Sequence, residues 1–148
     1  MATVDELLDA EPESLYQDVN NIIIVDAEAR QLIVPPAEVV LGVASDAKAE
    51  RKFFRCPCAV STDVSVRECE VHVNYENALG DRNHWLVNDL VYDGDFAVFS
   101  WEITEDVMLR AGNVQFSLCI CKVRDGRIVR EWNTTPATGI VLEGLEIE

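Results

Sequence analysis

Asn113-Val114-Gln115-Phe116-Ser117-Leu118-Cys119-Ile120-Cys121-Lys122-Val123-Arg124-Asp125-Gly126-Arg127-Ile128-Val129-Arg130-Glu131-Trp132-Asn133 reads as a β-hairpin. Val114, Phe116, Leu118 and Ile120 recur at every second position, which places them on one face of a strand. Asp125-Gly126 tolerates the positive φ angles of a tight hairpin turn. Ile128 to Trp132 is the returning arm, and Asn133-Thr134-Thr135-Pro136 marks its exit. This stretch decides the class of the chain.

The same pattern recurs outward from it. Asp93-Gly94-Asp95 is a second turn, leading into Phe96–Ile103, where Ala97, Phe99, Trp101 and Ile103 share a face. Cys69, Val71, Val73 and Tyr75 alternate with Glu70, His72, Asn74 and Glu76, the mark of a half-buried strand with one wet face. Lys52–Cys56 is a strand stopped by Pro57. Asn21–Val25 and Gln31–Val34 flank a turn at Asp26–Arg30, and Pro35-Pro36 ends the second. Trp85–Val87 with Leu90–Tyr92 makes one broken strand, and Gly139–Leu142 the last. Residues 37–50 read as a connector, Asn77–Asp81 as a loop, and Thr104–Arg110 as one helical turn.

Strands joined mostly by turns call for an all-β fold, an antiparallel β-sandwich of immunoglobulin-like or jelly-roll-like type over residues 21–148. Its expected core is Ile22, Ile24, Val71, Val73, Phe99, Trp101, Phe116, Leu118 and Ile120. Ahead of it, Thr3-Val4-Asp5-Glu6 resembles a capping box before Leu7 and Leu8. Residues 1–20 are therefore read as an acidic N-terminal helix or arm, with a short helix over about residues 4–10.

The length of 148 residues favours one such domain. No apolar run approaches the roughly 18 residues of a membrane span, and the N-terminus has no basic region followed by an apolar one. Net charge is −15, from 12 basic and 27 acidic residues, which disfavours nucleic acid and anionic membranes as partners. Asp5, Glu6, Asp9, Glu11, Glu13 and Asp18 crowd the start of the chain, whereas Lys48, Arg51, Lys52 and Arg55 form its densest basic stretch. Two solvated surfaces explain this asymmetry, and a contact between subunits would also use it. Five cysteines, an odd number, suggest reduced thiols made in a cytosol.

Candidate chemistry is sparse. Cys56-Pro57-Cys58 and Cys119-Ile120-Cys121 lack the C-x₂₋₄-C spacing of structural zinc, and cysteine is a common buried hydrophobe, so no metal is expected. His72 and His84 read as surface imidazoles, because an acid–base or metal role needs a convergent partner. Asp81, Asp93 and Asp95 follow turn chemistry, without a calcium loop. No catalytic residue and no cofactor site is expected. Trp85 and Trp132 are candidates for stacking on a glycan, although core placement suits aromatics better. Leu7, Leu8 and Tyr16 are candidates for docking the arm on a partner.

A resemblance runs through several short motifs. They are Ile33-Val34-Pro35, Leu41-Gly42-Val43-Ala44-Ser45-Asp46, Arg55-Cys56-Pro57, and Val71-His72-Val73-Asn74-Tyr75-Glu76-Asn77-Ala78. Phe99-Ser100-Trp101, Gly112-Asn113-Val114-Gln115-Phe116, Glu131-Trp132-Asn133-Thr134, Gly139 and Leu142-Glu143-Gly144-Leu145-Glu146 follow in order. Over roughly residues 20–148 they resemble small tail or baseplate proteins of phages and prophages of Gram-positive bacteria, similar to the N-terminal β-sandwich domain of baseplate upper proteins. The resemblance implies a non-enzymatic virion protein, made in the host cytoplasm and built into a phage tail as a trimer, a ring or a complex with other tail proteins. The family supplies no catalytic residues. Baseplate upper proteins continue into further domains and this chain stops after one sandwich, so an adaptor role fits better than direct host binding. A carbohydrate-binding sandwich that contacts host-surface glycans is the alternative.

Overall fold

The computed structural model describes residues 21–145, and among them eleven strands pack as two sheets. The first sheet runs in the order β2 (Gln31–Ile33), β1 (Ile22–Asp26), β4 (Arg51–Pro57), β8 (Phe96–Glu102), β7 (Val91–Asp93). The second runs β3 (Val40–Val43), β11 (Ala137–Leu142), β9 (Gly112–Arg124), β5 (Glu70–Glu76), β6 (Arg82–Leu86), with β10 (Arg127–Asn133) paired to β9 beyond β11. The chain is an all-β sandwich, as its alternating strands require. No helix among the described residues is long and apolar enough to cross a membrane.

The 113–133 hairpin forms β9 and β10. Asp125 and Gly126 both hold positive φ, 53° and 75°, so the two-residue turn matches the strand twist. β9 reaches 13 residues because both its edges are paired. β5 lies along one edge, while β11 and then β10 occupy the other. Thr134 joins these two segments. Its N–H donates to the Leu118 carbonyl and its Oγ1 accepts from the Leu118 N–H at 2.9 Å.

The inner faces interlock through aromatic rings. Phe54 stacks on Phe99 with centroids 5.4 Å apart and meets Phe116 edge-on, while Trp101 lies against both Phe116 and Tyr75. Val71, Val73, Leu118 and Ile120 fill the core beside them. Such ring pairs add about 0.5–1.5 kcal/mol each beyond the area they bury.

Several sequence expectations need correction. The sheets are mixed rather than wholly antiparallel, since β1 pairs with β4 and β3 with β11 in parallel. Both pairs join strands far apart in the chain, where no hairpin dictates direction. β3 lies inside the expected connector; its short Val-Leu-Gly-Val run, interrupted by Gly42, carries no alternation to read. β1 is shifted in phase. Ile23 and Val25 enter the main core, Ile24 is half-buried, and Ile22, although 1% exposed, lies on the other face. Four β-branched residues in succession give no period that fixes a face.

The expected broken strand is two strands in different sheets, β6 and β7. Asp89 fastens the crossing between them, accepting hydrogen bonds from the Ser100 N–H at 3.1 Å and Ser100 Oγ at 2.5 Å. Thr104–Arg110 holds only tight turns, with the Val107 N–H bonded to Thr104 and the Met108 N–H to Glu105. The basic stretch is not uniformly solvated. Lys52 is 4% exposed and pairs with Glu38 at 3.5 Å, while Arg51 holds Ser100 Oγ and Glu102. The expected N-terminal helix, with Leu7, Leu8 and Tyr16, lies outside the described residues.

Candidate functional site

Strand alternation turns one set of side chains in the second sheet away from the core. On β5 these are Glu70, His72, Asn74 and Glu76, and on β9 Gln115, Ser117, Cys119 and Cys121. β6 adds Arg82 and His84, and β10 adds Glu131 and Asn133. Together they make a polar outer face on the second sheet.

One end of this face is an open groove of about 670 Å³, lined by Asn74, Glu76, Arg82, His84, Gln115, Ser117 and Pro136. Arg82 Nε donates to Glu76 Oε1 at 2.8 Å across its rim. The adjoining corner is fixed by Asp106, which accepts from Tyr75 Oη at 2.5 Å, from Asn83 Nδ2 at 3.3 Å and from Thr104 Oγ1. Burial works against the Asp106 charge, but the donors Thr104, Tyr75 and Asn83 outweigh it and hold its pKa below the ordinary carboxylate range. Burial, and then the hydrogen bond to Asp106, push the Tyr75 phenol up to about 12. Asn77 closes the loop behind. Its Oδ1 accepts from the Leu79 and Asp81 N–H groups, and its Nδ2 donates to the Asp106 carbonyl at 2.9 Å.

The centre of the face gathers groups that the sequence had kept apart. Strand pairing sets Glu70 opposite Cys121 and His72 opposite Cys119. His72 Nε2 lies 3.0 Å from Glu70 Oε1, and the His84 ring meets His72 edge-on with centroids 5.1 Å apart. All five cysteines are free thiols. Burial pushes Cys119 up to about 12, and the neighbouring Cys121 and Glu131 add to the shift. Cys121 is raised too, by burial first and then by Glu70. Cys56 lies on β4 of the other sheet and faces the core, and Cys58 follows just past the end of β4, so the two C-x-C pairs do not converge.

The two tryptophan candidates lie elsewhere. Trp132 is 2% exposed, packed in the core beneath the Arg30 guanidinium at 4.9 Å from the ring centroid. Trp85 pairs with Val73, packs half-buried against the core, and leaves its indole N–H buried without a partner among the described residues. Neither indole forms part of the polar face. Asp81, as its turn position predicts, serves the loop through its backbone.

Two sheets in this order, with parallel pairs at β1–β4 and β3–β11, can be set against known architectures. The fold resembles a phage domain. The N-terminal domain of phage TP901-1 ORF48 aligns over 82% of this chain and 94% of its own length, with a TM-score of 0.50 and 7% identity. No protein-family model matches the sequence, and no curated protein matches it. At this identity the similarity concerns the layout of the sheets alone. It spans nearly the whole phage domain, so the correspondence is of entire sandwiches and not of one shared hairpin.

Proposed function

We propose that this chain is a structural component of a phage or phage-like tail, an assembly or adaptor module of the baseplate near the host-recognition apparatus. One observation carries the reading, the match of the whole sandwich to a phage protein domain. The ordered motifs that resemble baseplate upper proteins point the same way. The reading is non-enzymatic, and its partners are other tail proteins and further copies of the chain in a trimer or ring. The edge strand β3 and its neighbour β11 carry outward Val40, Val43, Ile140 and Leu142, all exposed, and cross-strand pairing sets them side by side. A strip of this kind suits burial against a neighbouring subunit. Host-glycan stacking draws no support from Trp132, whose indole is enclosed.

The test is immunogold electron microscopy of intact particles with antibody to this chain, paired with sedimentation of the purified protein and of a truncation beginning at Val19. Label at the tail tip, together with an oligomer or a complex with tail proteins, is the expected result. Particles without label overturn the virion reading. Equal assembly by the truncation removes residues 1–18 from the contact.

A further inference from the structure

The register of β5 against β9 builds a compact block of metal-ligating atoms. Ligand atoms of Glu70, His72 and Cys121 all lie within 4.8 Å of one another. Cys119, opposite His72, lies two residues before Cys121 on the same face of β9. The two thiols are buried although they face outward, the imidazole is half-buried, and the Glu70 side chain is 48% exposed. The block therefore has a sheltered floor and one open side.

We propose that this block is a zinc site, with Glu70, His72 and Cys121 as ligands and Cys119 as the fourth. Zinc takes four ligands in a tetrahedron from thiolate, imidazole and carboxylate, and this set offers all three types. Thiolates select against magnesium and calcium, which want oxygen alone. Zinc–ligand bonds of about 2.0–2.3 Å imply ligand separations of roughly 3.3–3.8 Å. His72 Nε2 and Glu70 Oε1 already stand 3.0 Å apart, so the closing needed, at most about 1–1.5 Å, is toward Cys121. The exposed Glu70 side chain is free to make most of that adjustment by rotation. The other three sit on the two most restrained strands of the sheet, and rigid elements are what precise sites require. The His84 ring packs beside His72, its centroid 5.1 Å away. Binding releases the thiol protons to solvent, and the net charge of −15 favours a divalent cation.

Neither C-x-C pair has zinc spacing along the chain, yet zinc ligands can also be gathered across paired strands. Glu-x-His on β5 and Cys-x-Cys on β9 each put two donors on one face, and pairing brings the two faces into line.

The test uses the full chain, reduced, stripped with chelator and titrated with cobalt and with zinc. One metal per chain in native mass spectrometry is expected, with a thiolate-to-cobalt charge-transfer band and a tetrahedral cobalt spectrum that zinc abolishes. C121S loses the charge-transfer intensity of its thiolate. E70Q and H72Q weaken binding by more than the roughly 10- to 100-fold that loss of an outer contact costs. C58S, just past the end of β4 and away from the block, leaves binding unchanged. The E70Q change lies at an exposed side chain and keeps the test decisive if C121S fails to fold. Substoichiometric binding, an octahedral cobalt spectrum without charge transfer, or affinity unchanged in both E70Q and H72Q overturns the proposal. The middle outcome would show cations held only by surface carboxylates.

Discussion

Replacing Trp132 with alanine separates an indole that holds the fold together from one that meets a ligand. Trp132 is the only buried residue of β10, whose other six positions are exposed. It therefore anchors that strand to the core. Truncating a buried aromatic to alanine costs about 3–5 kcal/mol. The Arg30 guanidinium above the ring is exposed, so its cation–π contact adds only about 0.5–1 kcal/mol. The expected loss is about 4 kcal/mol, a large fraction of the roughly 5–15 kcal/mol that stabilises a typical domain. For 148 residues it corresponds to a fall in Tm of about 10–15 °C. Urea unfolding followed by far-UV circular dichroism measures it, with the slope checked for constancy. R30A, which also gives up the bond from Arg30 Nη1 to the Asn133 carbonyl, should cost about 1 kcal/mol. An exposed, sugar-stacking indole would cost at most about 0.5 kcal/mol when removed. A W132A loss that small refutes the packing argument and restores Trp132 as a contact residue.

Two further outcomes follow from the same structure. A Cβ on Gly139 would meet Leu41 Cγ at 2.7 Å, so G139A should cost about 1–3 kcal/mol by overpacking, and L41A in the same chain should recover part of it; thermal melts of the three variants decide. Tyr75 is raised to about 12, above its unfolded value of about 10, so its contribution is complete below pH 10 and is lost as pH rises through 12. Y75F should flatten the stability curve across that window, and an unchanged alkaline limb would show that Tyr75 does not govern it.

Strands with a wet face and a dry face were legible. β5 and β9 alternate, β8 keeps Ala97, Phe99 and Trp101 on one face, and the inward residues Val73, Phe99 and Leu118 lie in the core where the period places them. β1 was legible as a strand but not in phase, because Ile22 to Val25 look alike to a period of two. β3 was invisible for the opposite reason, since its few apolar residues follow a proline pair and contain a glycine. The Lys52–Glu38 pair was also out of reach, because its burial depends on a 3-10 turn at Pro36–Glu38 packing over the end of β4. The central block of the polar face was half legible. Sequence puts His72 and Glu70 on one face and Cys119 and Cys121 on another, but only the register makes them neighbours.

That register ties the central block to the rest of the sandwich. A slip of one residue between β5 and β9 would carry Val71 and Val73 out of the core and turn His72 inward, so the core enforces the alignment of the outer face. The enforcement is strongest along β9, where Leu118 and Ile120 are sealed within the core and Thr134 pins the Leu118 backbone from the far edge. Glu70, His72, Cys119 and Cys121 thus inherit their positions from apolar packing that they do not touch. The same logic predicts that conservative core changes which preserve the register, such as I120V at about 0.5–1.5 kcal/mol, leave cobalt affinity within a few-fold of the unaltered chain. A change of that size which abolished cobalt binding while leaving the far-UV spectrum intact would mean that the four ligands are positioned by something other than the register.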